Sequence, residues 1–161
     1  MLIENATPKD ESEEPSLGRL GSYLGFRLRR LQNQFSRDFH AKTKKWELRA
    51  GMFSALELIS ANPGISQAAV SAEVGLDKSA LVPIIDSLEA RGWVERTRST
   101  SDRRRNHLST TIAGEKELDA LFAELAVTEA AGLAALSAEE RAIVSAALDK
   151  VYHAYVRPSR S

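Results

Sequence analysis

Few folds are open to the stretch SQAAVSAEVGLDKSALVPIIDSLEARGW, residues 66–93. Ser66 suits a helix N-cap, because its hydroxyl can accept from one of the backbone N–H groups that a first turn leaves orphaned. Gly75 stands where a left-handed residue ends a helix, and only Leu76 separates it from Asp77, a second N-cap. The spacing predicts a helix over residues 67–74 and another over 78–91, ended by Gly92. Two capped helices joined by a glycine-containing turn are a helix-turn-helix. On the second, Leu81, Ile84, Ile85 and Leu88 share one side and must face a core. Ser79, Val82, Pro83 and Asp86 fall on the other side. Pro83 deprives the Ser79 carbonyl of its helical partner, and a modest kink is expected there.

Directly behind this pair the period changes from helical to alternating. Residues 93–98 and 107–111 read as short strands around a polar tip, residues 99–106. A helix-turn-helix followed by a hairpin is a winged helix. Elsewhere helical patterns dominate. Leu17, Leu20, Leu24, Leu28, Leu31, Phe35 and Phe39 form one stripe on a helix of roughly six turns. A helix over residues 49–61, with Ala55, Leu56 and Ile59 inward, stops at Asn62-Pro63-Gly64. Leu118, Leu121, Phe122 and Leu125 mark a helix over residues 112–131. Ser137-Ala138-Glu139-Glu140 is a capping box opening a last helix striped by Ile143, Ala147, Leu148, Val151, Tyr152 and Tyr155.

The expected class is therefore mainly α with a small β-hairpin wing. Residues 1–15 form an acidic, disordered tail and residues 45–112 a winged helix-turn-helix. The helices of residues 16–44 and 113–157 keep long apolar stripes with little central core to cover them. A second copy of the chain, related by a two-fold axis, is the economical cover, so a homodimer is expected.

The three consecutive arginines Arg103, Arg104 and Arg105 repel one another unless an anionic partner compensates them. The formal net charge is zero, but residues 91–105 carry six arginines against Glu95 and Asp102. Local charge is what a DNA backbone feels. Arg96 and Arg98 share a side of the first strand. A carboxylate at Asp102 can hold Arg104 or Arg96 in a planar fork and aim the wing. Lys78 and Ser79 sit at a helix N-terminus suited to phosphate, and Ser66 and Gln67 open the other helix of the pair. Val82 and Pro83 cannot hydrogen-bond a base edge and at best touch thymine methyls. Much of the selectivity is then expected from DNA shape, with guanidinium groups drawn into narrow minor grooves.

The order and spacing of GLDKSALV, DSLEARGWVER and DRR, with Thr111 and Gly114 completing a fourth motif, resemble the MarR family (multiple antibiotic resistance regulators). The resemblance implies homodimeric transcription regulators, chiefly repressors, bound to a pseudo-palindromic operator in double-stranded DNA. Each would place a recognition helix in a major groove and a wing in the flanking minor groove, with Arg104 inserted and Asp102 orienting it. It also implies release by a small ligand, an aromatic acid or its acyl-CoA thioester. Tyr23, Phe26, Arg27, Trp46 and Met52 are the candidate pocket, with Arg27 gripping a carboxylate. Thr110, Arg49, Val82 and Pro83 depart from the family's usual residues.

Other classes fare worse. No cysteine is present, and His40, His107 and His153 lack metal spacing; no nucleophile motif or phosphate loop appears, so neither an enzyme nor a cofactor or metal site is expected. His107 is expected to pack or hydrogen-bond on the wing. No run approaches the ~20 apolar residues that cross a bilayer, and no signal segment opens the chain, so a cytoplasmic protein without a membrane partner is expected. The alternative is a winged helix that binds protein and not DNA; it would carry a neutral wing.

Overall fold

A computed structural model describes residues 15–98 and 106–156. The chain divides into two compact units, residues 1–34 and 35–161. The first holds a 3-10 turn, Gly18–Ser22, and the start of helix α1, Leu24–Lys42. Between them Tyr23 is extended, with φ −93° and ψ 118°. The expected six-turn helix is thus shorter than its stripe. Leu17 and Leu20 lie before the break and are exposed, because no buried contact repays continuing the helix through them.

The second unit begins with the last turns of α1. A 3-10 turn, Lys44–Trp46, follows, then α2 (Met52–Ala61), β1 (Ile65–Ser66), α3 (Gln67–Val74) and α4 (Lys78–Ala90). The hairpin strands β2 (Val94–Arg98) and β3 (Asn106–Thr110) precede α5 (Ile112–Gly132) and α6 (Ala138–Tyr155). Helix α2 starts three residues later than its periodicity suggests. Gly51 holds φ +85° just before it, and a side chain there would press 2.9 Å from Leu76 Cδ1. The sheet has three antiparallel strands, not two, in the order β1-β3-β2. At two residues β1 is too short to show any period, and its Ser66 doubles as the cap of α3.

Met52, Leu56 and Ile59 of α2, Val70 of α3, Leu81, Ile85 and Leu88 of α4, Leu108 of β3 and Leu121 of α5 form one core. Each such side chain contributes about 1.5–3 kcal/mol by leaving water. By contrast, α1 and α6 bury no residue at all. The capping box of α6 forms as read: Ser137 Oγ accepts from the Glu140 N–H, and the Glu140 carboxylate accepts from the Ser137 N–H.

The corner between α4, β2 and α5 is the tightest joint. Gly92, at φ +71°, turns the chain out of α4, and the Trp93 N–H donates to the Leu88 carbonyl at 3.0 Å. Thr111 caps α5 by accepting from the Gly114 N–H while its hydroxyl donates to the Gly92 carbonyl at 2.6 Å. The Thr111 N–H donates to the Trp93 carbonyl at 3.0 Å. A Cβ on Gly114 would lie 2.1 Å from that same oxygen. Inside a helix, alanine ordinarily stabilises over glycine by about 1 kcal/mol. Gly114→Ala is expected to reverse that sign and cost about 1–3 kcal/mol, because the first turn of α5 must back away from Trp93. The urea midpoint of the variant checks it, and a midpoint at or above the parent's would show that the corner can yield.

Candidate nucleic-acid interface

Both helices of the turn are fixed at their starts by side chains. Ser66 Oγ accepts from the Ala69 N–H at 3.2 Å, and Asp77 Oδ1 accepts from the Ala80 N–H at 2.8 Å. Gly75 takes the left-handed conformation, φ 74°, and the Ser71 hydroxyl donates to the Leu76 carbonyl at 2.6 Å to close the turn. Ser66 and Gln67 are half-buried at the start of α3. On α4, Leu81, Ile84, Ile85 and Leu88 are buried, while Lys78, Ser79, Val82, Pro83 and Asp86 are exposed. The helix passes through Pro83 without interruption. Val82 is 46% exposed beside it, an apolar patch on an outward face. Ser79 is partly spoken for, since its hydroxyl donates to Asp77 Oδ1 at 2.7 Å.

The wing residues separate into two groups. Asp102, Arg103, Arg104 and Arg105 lie outside the described residues. Arg96 is described, and its surroundings differ from the expectation. It sits on the strand face that carries buried Val94, paired across the hairpin with fully buried Leu108. Its Nη2 lies 2.5 Å from Asp86 Oδ1 and its Nη1 2.9 Å from Glu89 Oε2. Its carboxylate partners among the described residues are therefore on α4, Asp86 and Glu89. The alternation V-E-R-T, with Val94 inward, places Arg96 inward too; that signal was present in the sequence. His107 Nδ1 approaches the Gly64 carbonyl at 2.6 Å and, facing an oxygen that only accepts, carries the proton. It ties the wing to the turn before β1, as expected.

The five pocket candidates divide between the units. Tyr23 and Arg27 are exposed in the first, and Phe26 is half-buried with the Arg29 guanidinium 5.6 Å from its ring. Trp46 and Met52 belong to the second, where both are buried in the core. Met52 is wholly buried. The Trp46 indole N–H donates to Glu117 Oε2 at 2.6 Å, Lys45 Nζ lies 4.0 Å from its ring, and Arg91 donates to its carbonyl. The second unit carries a row of rings: half-buried Phe39 and Phe53 at 5.3 Å, and Phe53 with exposed Phe122 at 5.0 Å. Phe39 and Phe122 were read only as parts of helix stripes, and Phe53 gave no signal, because periodicity does not show which stripes meet. Among the described residues no cluster of His, Cys, Asp or Glu could hold a metal, and no helix is long and apolar enough to cross a membrane.

Comparisons with known proteins agree with this geometry. The family model of MarR regulators matches residues 48–105, from the turn before α2 to the end of the arginine run. A candidate transcriptional regulatory protein for the hcr operon of Thauera aromatica is 32% identical over 136 residues, which cover 84% of this chain and 82% of that one. The transcriptional repressor CouR, solved on a 23-mer DNA duplex, superposes with a TM-score of 0.79 at 31% identity, covering 86% of this chain and 99% of that one. CouR from Rhodococcus jostii RHA1, solved with p-coumaroyl-CoA, shares the fold at TM-score 0.76 and 24% identity, covering 89% of this chain and 99% of that one.

The Asp77 cap makes a checkable statement about acid. Its carboxyl is held below the usual range, first by the Ser79 hydroxyl and then by the Ala80 N–H. A depressed folded value means the cap's contribution is complete above the ordinary carboxylate range and is lost as pH falls through that lowered value. Asp77→Asn keeps a capping oxygen but has no proton to bind. Melting temperatures measured from about pH 6 to pH 3 should fall less steeply for this variant than for the parent; parallel curves would remove Asp77 from the acid response.

Proposed function

The chain belongs to the MarR family of transcriptional regulators, and on that footing we propose a homodimeric repressor that grips a pseudo-palindromic operator and lets go when a small ligand binds. The observation that carries the reading is the exposed, doubly capped α4 beside an arginine-rich wing, on a chain 31% identical to a repressor solved on duplex DNA. Each α4 enters a major groove, with Lys78 and Ser79 on phosphate near its N-terminus and Val82 and Pro83 against thymine methyls. Ser66 and Gln67 add phosphate contacts from the start of α3. Arg103, Arg104 and Arg105 reach the flanking minor groove, where Arg104 inserts and Asp102 aims it. Their mutual repulsion is offset by phosphates and released counterions.

The dimer is supported by the uncovered stripe of α6, on which Ile143 is 68% and Tyr155 85% exposed among Val144, Leu148 and Val151. A lone chain rarely leaves so continuous an apolar face in water. The ligand is an aromatic acid or its acyl-CoA thioester, and Tyr23, Phe26 and Arg27 stay candidates for it. Screening such acids and thioesters for release of bound DNA tests this part.

Two outcomes are expected. Arg104→Ala should lower the salt slope of operator binding by about 1, the mark of one lost phosphate neighbour. A salt titration that overlays the parent's would remove the wing from the interface. Ile143→Glu combined with Val151→Glu should yield single chains by sedimentation equilibrium while the winged helix keeps its melting transition, since α6 buries nothing in the core. A variant that still sediments as a pair would move the dimer contact elsewhere.

A further inference from the structure

Arg96 is the residue whose environment the DNA-binding reading leaves unexplained. We infer that it is a positioning residue, a tether that sets the angle between the wing and the recognition helix, and not a ligand of DNA.

Both terminal guanidinium nitrogens are engaged by the protein. Nη2 meets Asp86 and Nη1 meets Glu89, while Nε is buried. Asp86 and Glu89 are three residues apart on one face of α4, which lets one two-armed cation hold both. The tether also does something that a DNA contact at this place could not. Hairpin and helix are joined covalently at the Gly92 turn, where backbone hydrogen bonds through Trp93 hold the base of β2. Arg96 lies four residues further, about 13 Å along the strand. A strand fixed at two such points has a set direction, and the wing tip follows it. The same contact offsets one of two carboxylate charges on a helix destined for a polyanion.

The inference rests on the DNA-binding reading and yields a test of opposite signs. Asp86→Ala with Glu89→Ala removes two negative charges from the DNA-reading helix and raises its helix propensity. Charge alone then predicts tighter binding to every duplex. A tether predicts the reverse for a specific site. The probes are a duplex selected by the parent from a random-sequence pool and a scrambled duplex of the same composition. The double variant should bind the selected duplex about tenfold more weakly and the scrambled one no more weakly. Adding Arg96→Met to it should change neither affinity nor salt slope, because the side chain then has nothing left to hold.

Equal or tighter binding of the selected duplex by the double variant overturns the tether. So does a further fall in salt slope of about 1 on adding Arg96→Met, which would make Arg96 a phosphate ligand. Circular dichroism reports folding. Should the double variant not fold, Arg96→Lys keeps the charge but not the fork; it should lose preference for the selected duplex at an unchanged slope, and full retention of that preference overturns the inference. A parent that selects no sequence sinks the DNA reading and the tether together, whereas a selecting parent whose variants keep their preference sinks the tether alone.

Discussion

The Trp93 carbonyl is the point at which three elements must meet. It closes the strand end against Thr111, and it stands where a side chain at position 114 would have to go. Only glycine lets the first turn of α5 come so near, and Thr111 then uses one hydroxyl to cap α5 and to hold the Gly92 carbonyl. Helix α4 ends, the hairpin begins and ends, and α5 starts within this one corner. The base of the wing is therefore set against the recognition helix by a backbone contact, and the Arg96 ion pairs fix it at a second point along β2. Thr111 and Gly114 on one side and GWVER on the other are two halves of one joint.

Charge is distributed with the same economy. A chain with as many acidic as basic residues can bind a polyanion only if its acids are kept away from the contact or are neutralised. Asp77 and Glu115 are engaged in hydroxyl and backbone hydrogen bonds that hold both below the usual carboxylate range, Glu115 by Thr110 and then Ser60. Asp86 and Glu89, which lie nearest the proposed groove, are met by Arg96. The outward face of α4 then presents Lys78, Ser79, Val82 and Pro83, weakly charged and poorly equipped to read base edges. Selectivity on such a face leans on how the duplex is shaped and on how rigidly the wing is aimed.

Much of this was legible in the residues. Caps at Ser66, Asp77 and Ser137 and the left-handed Gly75 fall where the local rules put them, because capping depends on a few adjacent atoms. The inner face of α4 and the hairpin register follow from period alone. What escaped involves contacts between distant segments. Strand β1 exists only because β3 offers it an edge. Tyr23 interrupts a stripe that no core rewards. Trp46 and Met52 look like aromatic and flexible pocket walls until α5 supplies Glu117 and the core closes over them. Arg96 carries two local signals. Its place in a basic segment points to DNA, whereas strand alternation turns it toward α4, where it meets Asp86 and Glu89.

The contrast between the core and the outer helices bears on how such a molecule can respond to a ligand. The winged helix is closed upon itself through Met52, Leu56, Ile59, Leu81, Ile85, Leu88 and Leu108. Helix α6 places no side chain in that core, and α1 packs only half-buried Phe39 against it. On the dimeric reading their apolar stripes meet another copy, and the energy of that contact is independent of the energy that holds the reading head together. A ligand that changes how the outer helices pair can then move two intact reading heads relative to each other without unfolding either. For linkage of about 1–3 kcal/mol, typical between two sites, an interface that re-seats is sufficient and a core that melts is unnecessary. A tether such as Arg96 belongs in this scheme, because a displacement of the whole head reaches DNA undiminished only if wing and recognition helix move as one body.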